Sequence, residues 1–252
     1  MARLDPQLLS PLKHRDGASQ AHLALVRSRE ALVEARTKLI NHVRGSVKSF
    51  GSRLPKCSAE SFHKKVVGKL PEELLPALQP LLKTTIASLT ERIRHYDRRL
   101  EALADDLYPQ TYLLRQIPGV GLLTALVFVL TLEDPARFED GRAVGAYLGL
   151  VPSRHQSGDS DPQRRISKQG DRMLRRLLVN SAHYLLGPFG EDSDLKRHGQ
   201  KIAERGGGIA KKRAVVAVAR KLSVVLHRLW ISGERYEPLF NARRTAKEGV
   251  PT

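Results

Sequence analysis

A single cysteine, Cys57, stands in 252 residues, so no disulfide can close within the chain. Aromatic residues make up only 5%, and strict alternation of the kind that marks half-buried strands is scarce. The longest apolar run, Leu122 to Leu130, falls far short of the ~20 residues a bilayer crossing needs. The N-terminal stretch has no apolar core of the signal-peptide type. No Gly-x-x-x-x-Gly-Lys-Ser/Thr, no His-x-x-x-His and no Cys/His ligand set occurs, and the nine histidines are scattered. Asp105, Asp106 and the acids from Glu191 to Asp194 read as helix-end and loop charges, not as a two-metal carboxylate site. No metal site is expected in the chain. Together these absences argue against a disulfide scaffold, a membrane span and a P-loop nucleotide hydrolase. The expected location is the cytoplasm.

Acidic charge is the largest shortage. Twenty-six Asp and Glu face 43 Lys and Arg, which leaves +17 and a pI near 10.3. An excess of that size attracts polyanions. Nucleic acid is the first candidate, with ribosomal RNA and anionic membrane as alternatives. Hydrophobic residues at 41% are enough for a real core.

Helical periods dominate the pattern. The pairs Leu25/Val26, Leu32/Val33 and Leu39/Ile40 recur every seven residues. Gly51, Pro55, Gly68, Pro71 and Pro76 then punctuate a connection with short helical pieces. A second long helix follows, with a seam of Leu82, Ile86, Leu89, Ile93, Tyr96, Leu100, Leu103 and Leu107. Pairing of the two helices within one chain and pairing with a second copy are equally compatible with that seam. The expected fold is mainly α: a long coiled-coil helical hairpin followed by a compact helical domain. In segments, residues 1–18 form a linker, 19–110 the coiled-coil region, 111–235 the compact domain and 236–252 a flexible tail, frayed from about Asn241.

Three motifs carry chemistry. "IPGVG" (117–121), with Ala125 four residues on, fits a helix-hairpin-helix. Glycines let backbone approach a phosphate, and the next helix opens with unpaired N–H groups. Gly119, Val120 and Gly121 are therefore candidate phosphate holders; the plain alternative is a tight turn between core helices. Arg154, Arg164, Arg165, Lys168, Arg172, Arg175 and Arg176 form a basic stretch that fits a phosphate track, against the alternative of a solvated face. A second cluster, Lys211 to Arg213 with Arg220, Lys221 and Arg228, extends it. Ser157 precedes Gly158 among these cations, with His155, Asp159 and Asp161 as possible proton acceptors. Judged on residue types alone, a turn-forming serine is the commoner reading.

The combination "IPGVGLLTALVFVLTL", "RFEDGRAVGAYLGLVPSRHQSG" and "RRISKQGDRMLRRLLVNSAHYLL", in that order, resembles the C-terminal domain of IS110-family insertion-sequence transposases, IS1111 subgroup. "LDPQLLSPLKHR" and "ALVEARTKLINHVRGSVKSFG" resemble the same family's connecting and coiled-coil region. The resemblance implies DNA transposition: Ser157 attacks a phosphodiester and forms a phosphoserine link. It further implies a structured bridge RNA, homo- or mixed oligomers through the coiled coil, a bacterial, nucleoid-associated setting, and Mg only at a RuvC-like Asp-Glu-Asp-Asp domain. That domain has no counterpart in this sequence, so a truncated copy or independent C-terminal piece is expected. The rival expectation is a non-catalytic nucleic-acid-binding remnant that oligomerises with intact transposase.

Overall fold

The computed structural model describes residues 16–153 and 165–241. Among the described residues the secondary structure is helical, with one isolated antiparallel bridge between Pro152 and Ile166. The chain divides into two compact units, Met1–Leu103 and Ala104–Thr252.

In the first unit, α1 (Gly17–Ser49) starts at Asp16, whose carboxylate accepts the Ser19 N–H. It stops where Gly51 adopts φ +80 and the N–H groups of Gly51 and Ser52 return to the carbonyls of Lys48 and Val47. The connection then folds back in short pieces: α2 (Phe62–Lys65), a 3-10 turn (Glu72–Leu74) and α3 (Leu75–Pro80). Phe62, Val66 and Leu78 from these pieces bury themselves against Ile40, Val43 and Val47 of α1. The result is a small apolar cap on that end of the helix.

From α3 the helix continues through a wide π turn (Leu81–Ile86) into α4 (Ala87–Leu107). Pro80 supplies the cause, because it lacks an N–H and its ring displaces the carbonyl four residues back. The antiparallel pairing of α1 with α4 closes within the chain. Arg29 Nε lies 2.5 Å from Asp97 Oδ1, and one heptad along, Arg36 Nη1 donates to Thr90 Oγ1 at 3.4 Å. As residue numbers rise on one helix they fall on the other.

This pairing corrects the expected seam. Leu82, Ile86, Ile93 and Leu100 are buried, but Thr90 and Ala104 take the places expected of Leu89 and Leu103, and Leu107 is 57% exposed. The π turn carries extra backbone into the helix, so beyond Ile86 the inward face keeps Ile93 and Leu100 but turns towards Thr90 and Ala104 in place of Leu89 and Leu103. Polar Thr90 and Asp97 are admitted because α1 presents arginines to them. Burial pushes the Arg36 guanidinium below its ordinary pKa, and its Nε has no partner. Replacing such a group with an apolar side chain of similar length tends to be neutral or stabilising. Arg36→Met is therefore expected to melt at or above the wild-type temperature, because Thr90 keeps its bond to the Ile86 carbonyl. Arg36→Ala, which leaves a void, is expected to lose about 2 kcal/mol. Thermal melts of both variants check this, and a lower melting temperature for the methionine variant refutes it.

The second unit is built on α10 (Gly207–Ser232). Against it pack α5 (Gln110–Leu114), α7 (Gly141–Tyr147), α8 (Arg172–Leu186) and α9 (Asp194–Ala203). Helix α6 (Leu122–Leu132) packs against α5 and α8, and every residue from Thr124 to Leu132 is buried, which explains its all-round apolar sequence. Close approach of α7 to α10 depends on two glycines one turn apart. A Cβ on Gly141 would stand 2.7 Å from Val224 Cγ1, and one on Gly145 3.1 Å from Arg220 Cγ. The first residues of the expected tail are tied back: Tyr236 N–H donates to Gln116, Asp194 N–H to the Pro238 carbonyl, and Asn241 N–H to the Asp194 carboxylate.

Candidate nucleic-acid interface

Ser157 lies outside the described residues, as do Arg154 and Arg164, but the structure fixes both ends of the segment that holds them. Ser153 N–H donates to the Arg165 carbonyl at 2.9 Å, Ser167 N–H to Val151 at 2.8 Å and Lys168 N–H to Gly149 at 3.1 Å. Residues 149–153 and 165–168 thus form a short antiparallel stem, and residues 154–164 begin and end at its open end.

The stem is anchored by a backbone interlock. Helix α7 ends in a Schellman motif: Gly149 (φ +67) donates to Ala146, and Leu150 donates to Gly145. A Cβ on Gly149 would strike the backbone of Gln169, and one on Gly170 (φ +81) the carbonyl of Tyr147. Each glycine fills the space the other strand leaves. Arg175 closes the arrangement, with Nη1 donating to the carbonyls of Leu148 (3.1 Å) and Gln169 (2.6 Å). Its neighbour Asp171 caps α8 by accepting the Leu174 N–H at 2.8 Å.

The cations divide accordingly. Arg165, Lys168, Arg172 and Arg176 are exposed along the stem and the first turns of α8. Arg175, grouped with them by helical spacing, is half-buried and committed to the backbone. In the second cluster, Lys211, Lys212 and Arg213 are exposed, Arg220 lies over Gly145, and Arg228 lies over the Phe240 ring at 4.4 Å.

The turn between α5 and α6 places its three candidates differently. Val120 is buried, and its N–H is donated to Ile117 at 2.9 Å. Gly119 (φ +84) is covered by Tyr184 of α8; an added Cβ would lie 2.8 Å from the ring. Gly121 caps α6 with no side-chain bond, and a Cβ there would meet nothing within 4 Å. The open positive end of α6 is thus at Gly121 and the N–H groups that follow it. Two residues the sequence did not single out flank the turn. Tyr184 is 45% exposed, and the exposed Arg115 stacks over Tyr112 at 5.7 Å. An aromatic interrupting the polar face of an amphipathic helix was the available signal for Tyr184.

Among the described residues no helix is long and apolar enough to cross a membrane, and no group of three or more His, Cys, Asp or Glu could hold a metal ion.

Comparison with known proteins covers the same region of the chain. Residues 111–194, which include the α5–α6 turn, the stem and α8, match the family described as Transposase IS116/IS110/IS902. The chain is 34% identical over 220 residues to the transposase of insertion sequence element IS1111A from Coxiella burnetii, covering 84% of this chain and 59% of that protein. Identity is 38% over 169 residues with the transposase of element IS1328 from Yersinia enterocolitica, covering 65% and 49%. A pilin gene-inverting protein of Moraxella bovis is 27% identical over 159 residues, covering 58% and 48%. The chain thus spans about half to three fifths of the length of these relatives. Through residues 111–194 and their setting, the chain belongs to the IS116/IS110/IS902 family of transposases.

Proposed function

We propose that this chain binds DNA and takes part in cleavage and strand transfer, with Ser157 as nucleophile. The observation that carries the reading is the stem: a rigid base, locked by Gly149, Gly170 and Arg175, from which residues 154–164 begin and end among exposed cations. Ser157 is four residue steps from Ser153, so connectivity keeps its Cα within about 14 Å of the stem. That is close enough for the phosphate it attacks to be shared with Arg165, Lys168 and Arg172.

In the proposed step the Ser157 hydroxyl oxygen forms a bond to phosphorus. Its proton passes to an acceptor, and the deoxyribose oxygen on the far side of phosphorus leaves as the hydroxyl of the cut strand. A phosphoserine diester remains. Attack by a hydroxyl of another strand reverses the sequence and frees the serine. Guanidinium groups offset the charge that builds on the phosphoryl oxygens. The positive end of α6 at Gly121 holds a further backbone phosphate, in the manner of a helix-hairpin-helix, positioning DNA without reading its sequence. Bridge RNA and further copies of the chain are the partners expected beside DNA.

The chemistry is tested by incubating the chain with a polypeptide bearing the acidic domain, guide RNA and labelled DNA, then running denaturing gels. The expected result is label at the protein's position, absent with Ser157→Ala. Equal absence from both leaves only the binding role, and the nucleophile assignment falls.

Binding itself has a separate signature. Each phosphate neutralised contributes about 0.9 to the fall of log K with log salt. The double variant Arg165→Gln with Arg172→Gln is expected to flatten that slope by about 1.8, measured by fluorescence anisotropy. An unchanged slope would place the DNA elsewhere.

A further inference from the structure

The capped end of the hairpin carries most of the first unit's excess charge. Residues 16–103 hold sixteen Lys and Arg and nine Asp and Glu, yet residues 44–69 hold seven of those cations and one acid. That acid, Glu60, faces Arg94 at 3.9 Å; Glu72 and Glu73 follow on the 3-10 turn. Along the shaft, by contrast, acids and bases interleave.

Arg44 belongs to the cap's interior. Its guanidinium lies 5.0 Å from the Phe62 ring centroid and donates to the Pro55 carbonyl at 3.3 Å. The other six, Lys48, Arg53, Lys56, Lys64, Lys65 and Lys69, are exposed and form no ion pair among the described residues. They arrive from three stretches of chain, gathered by the shared core of Val47, Phe62 and Val66. Between Lys48 and Arg53 stands Phe50, 51% exposed at the end of α1.

We infer that this cap is a docking site for a single-stranded stretch of nucleic acid, with the lysines holding successive phosphates and Phe50 stacking on a base. Phosphate alone would account for the cations, and a duplex would satisfy them. It would leave the phenyl ring uncovered, since its bases are stacked on one another. A single strand presents free base faces beside its phosphates, and base–aromatic stacking of this kind is tolerant of sequence. The site lies in the first unit, remote in sequence from Ser157, and stands or falls independently of the nucleophile.

The test uses the full chain and a 20-nucleotide oligo-dT carrying one 5-bromodeoxyuridine, irradiated and digested with trypsin. The expected adduct is on the peptide Ser49–Arg53, where cleavage after Lys48 and Arg53 isolates Phe50. Lys64→Gln with Lys65→Gln is expected to cut that adduct at least fivefold, with an unchanged melting temperature. Phe50→Ala is expected to weaken oligo-dT binding about five- to a hundredfold at this site, and duplex DNA of the same length should give no adduct there. Absence of the adduct, an equal yield from duplex, or indifference to the lysine changes each overturns the proposal.

Discussion

Gly149→Ala is expected to lower the melting temperature of the second unit by on the order of 10 °C. Two costs add. A left-handed φ of +67 burdens any residue with a Cβ by about 1–2 kcal/mol. The new methyl would also meet backbone, standing 2.8 Å from the Lys168 carbonyl carbon and closer still to Gln169. A flexible side chain could swing aside, but backbone held on both sides by stem hydrogen bonds cannot. The total is about 3–5 kcal/mol, in the range reserved for named structural failures. Gly121→Ala is the control, since a Cβ there meets nothing within 4 Å; it should melt within about 2 °C of wild type. Calorimetry of the pair decides the matter, and equal melting temperatures would show that the interlock is not a constraint.

Ser157→Ala is expected to reduce covalent protein–DNA product by on the order of 10⁴-fold or more, the scale on which removing a nucleophile acts. Its DNA affinity should stay within about threefold, because one neutral hydroxyl contributes little beside several phosphate contacts. Arg165→Gln with Arg172→Gln should show the opposite pattern, with weaker, less salt-sensitive binding and a slower but measurable reaction. Quantitative denaturing gels beside anisotropy titrations separate the two. A Ser157→Ala protein that still acquires labelled DNA would assign the chemistry to another side chain.

Periodicity made both long helices, the short pieces between them and the amphipathic α8 legible in the sequence. It failed where the cause lay outside the local repeat. Counting fours and threes put Leu89 in the seam, and only the π turn after Pro80, with arginines on the facing helix, explains why Thr90 is there. The candidate site shows the same division. Charge and glycine patterns pointed to a basic stretch, of which Arg165, Lys168, Arg172 and Arg176 are exposed, but helical spacing grouped Arg175 with Arg172 and Arg176. One position after buried Leu174 and three before buried Leu178, Arg175 sits at the border of the inward face, where its length suits a bond to backbone carbonyls. The partner carbonyls lie 27 and 6 residues away along the chain, so no local rule reveals them. Gly119 read as a backbone that must stay clear for phosphate, but its immediate neighbour is the Tyr184 ring, and that contact too is visible only in three dimensions.

The tied stem also bears on how such a protein can diverge. Ser153 and Arg165 are fastened to each other, so lengthening or shortening the stretch between them does not pull on α7 or α8. Doubling its length would raise the entropy of closure by only about 0.6 kcal/mol. The number of residues joining Ser153 to Arg165 is therefore set only weakly by the cost of closing the stem. Inheritance of the stem and change in the length of the stretch it closes are, by this cost, nearly independent.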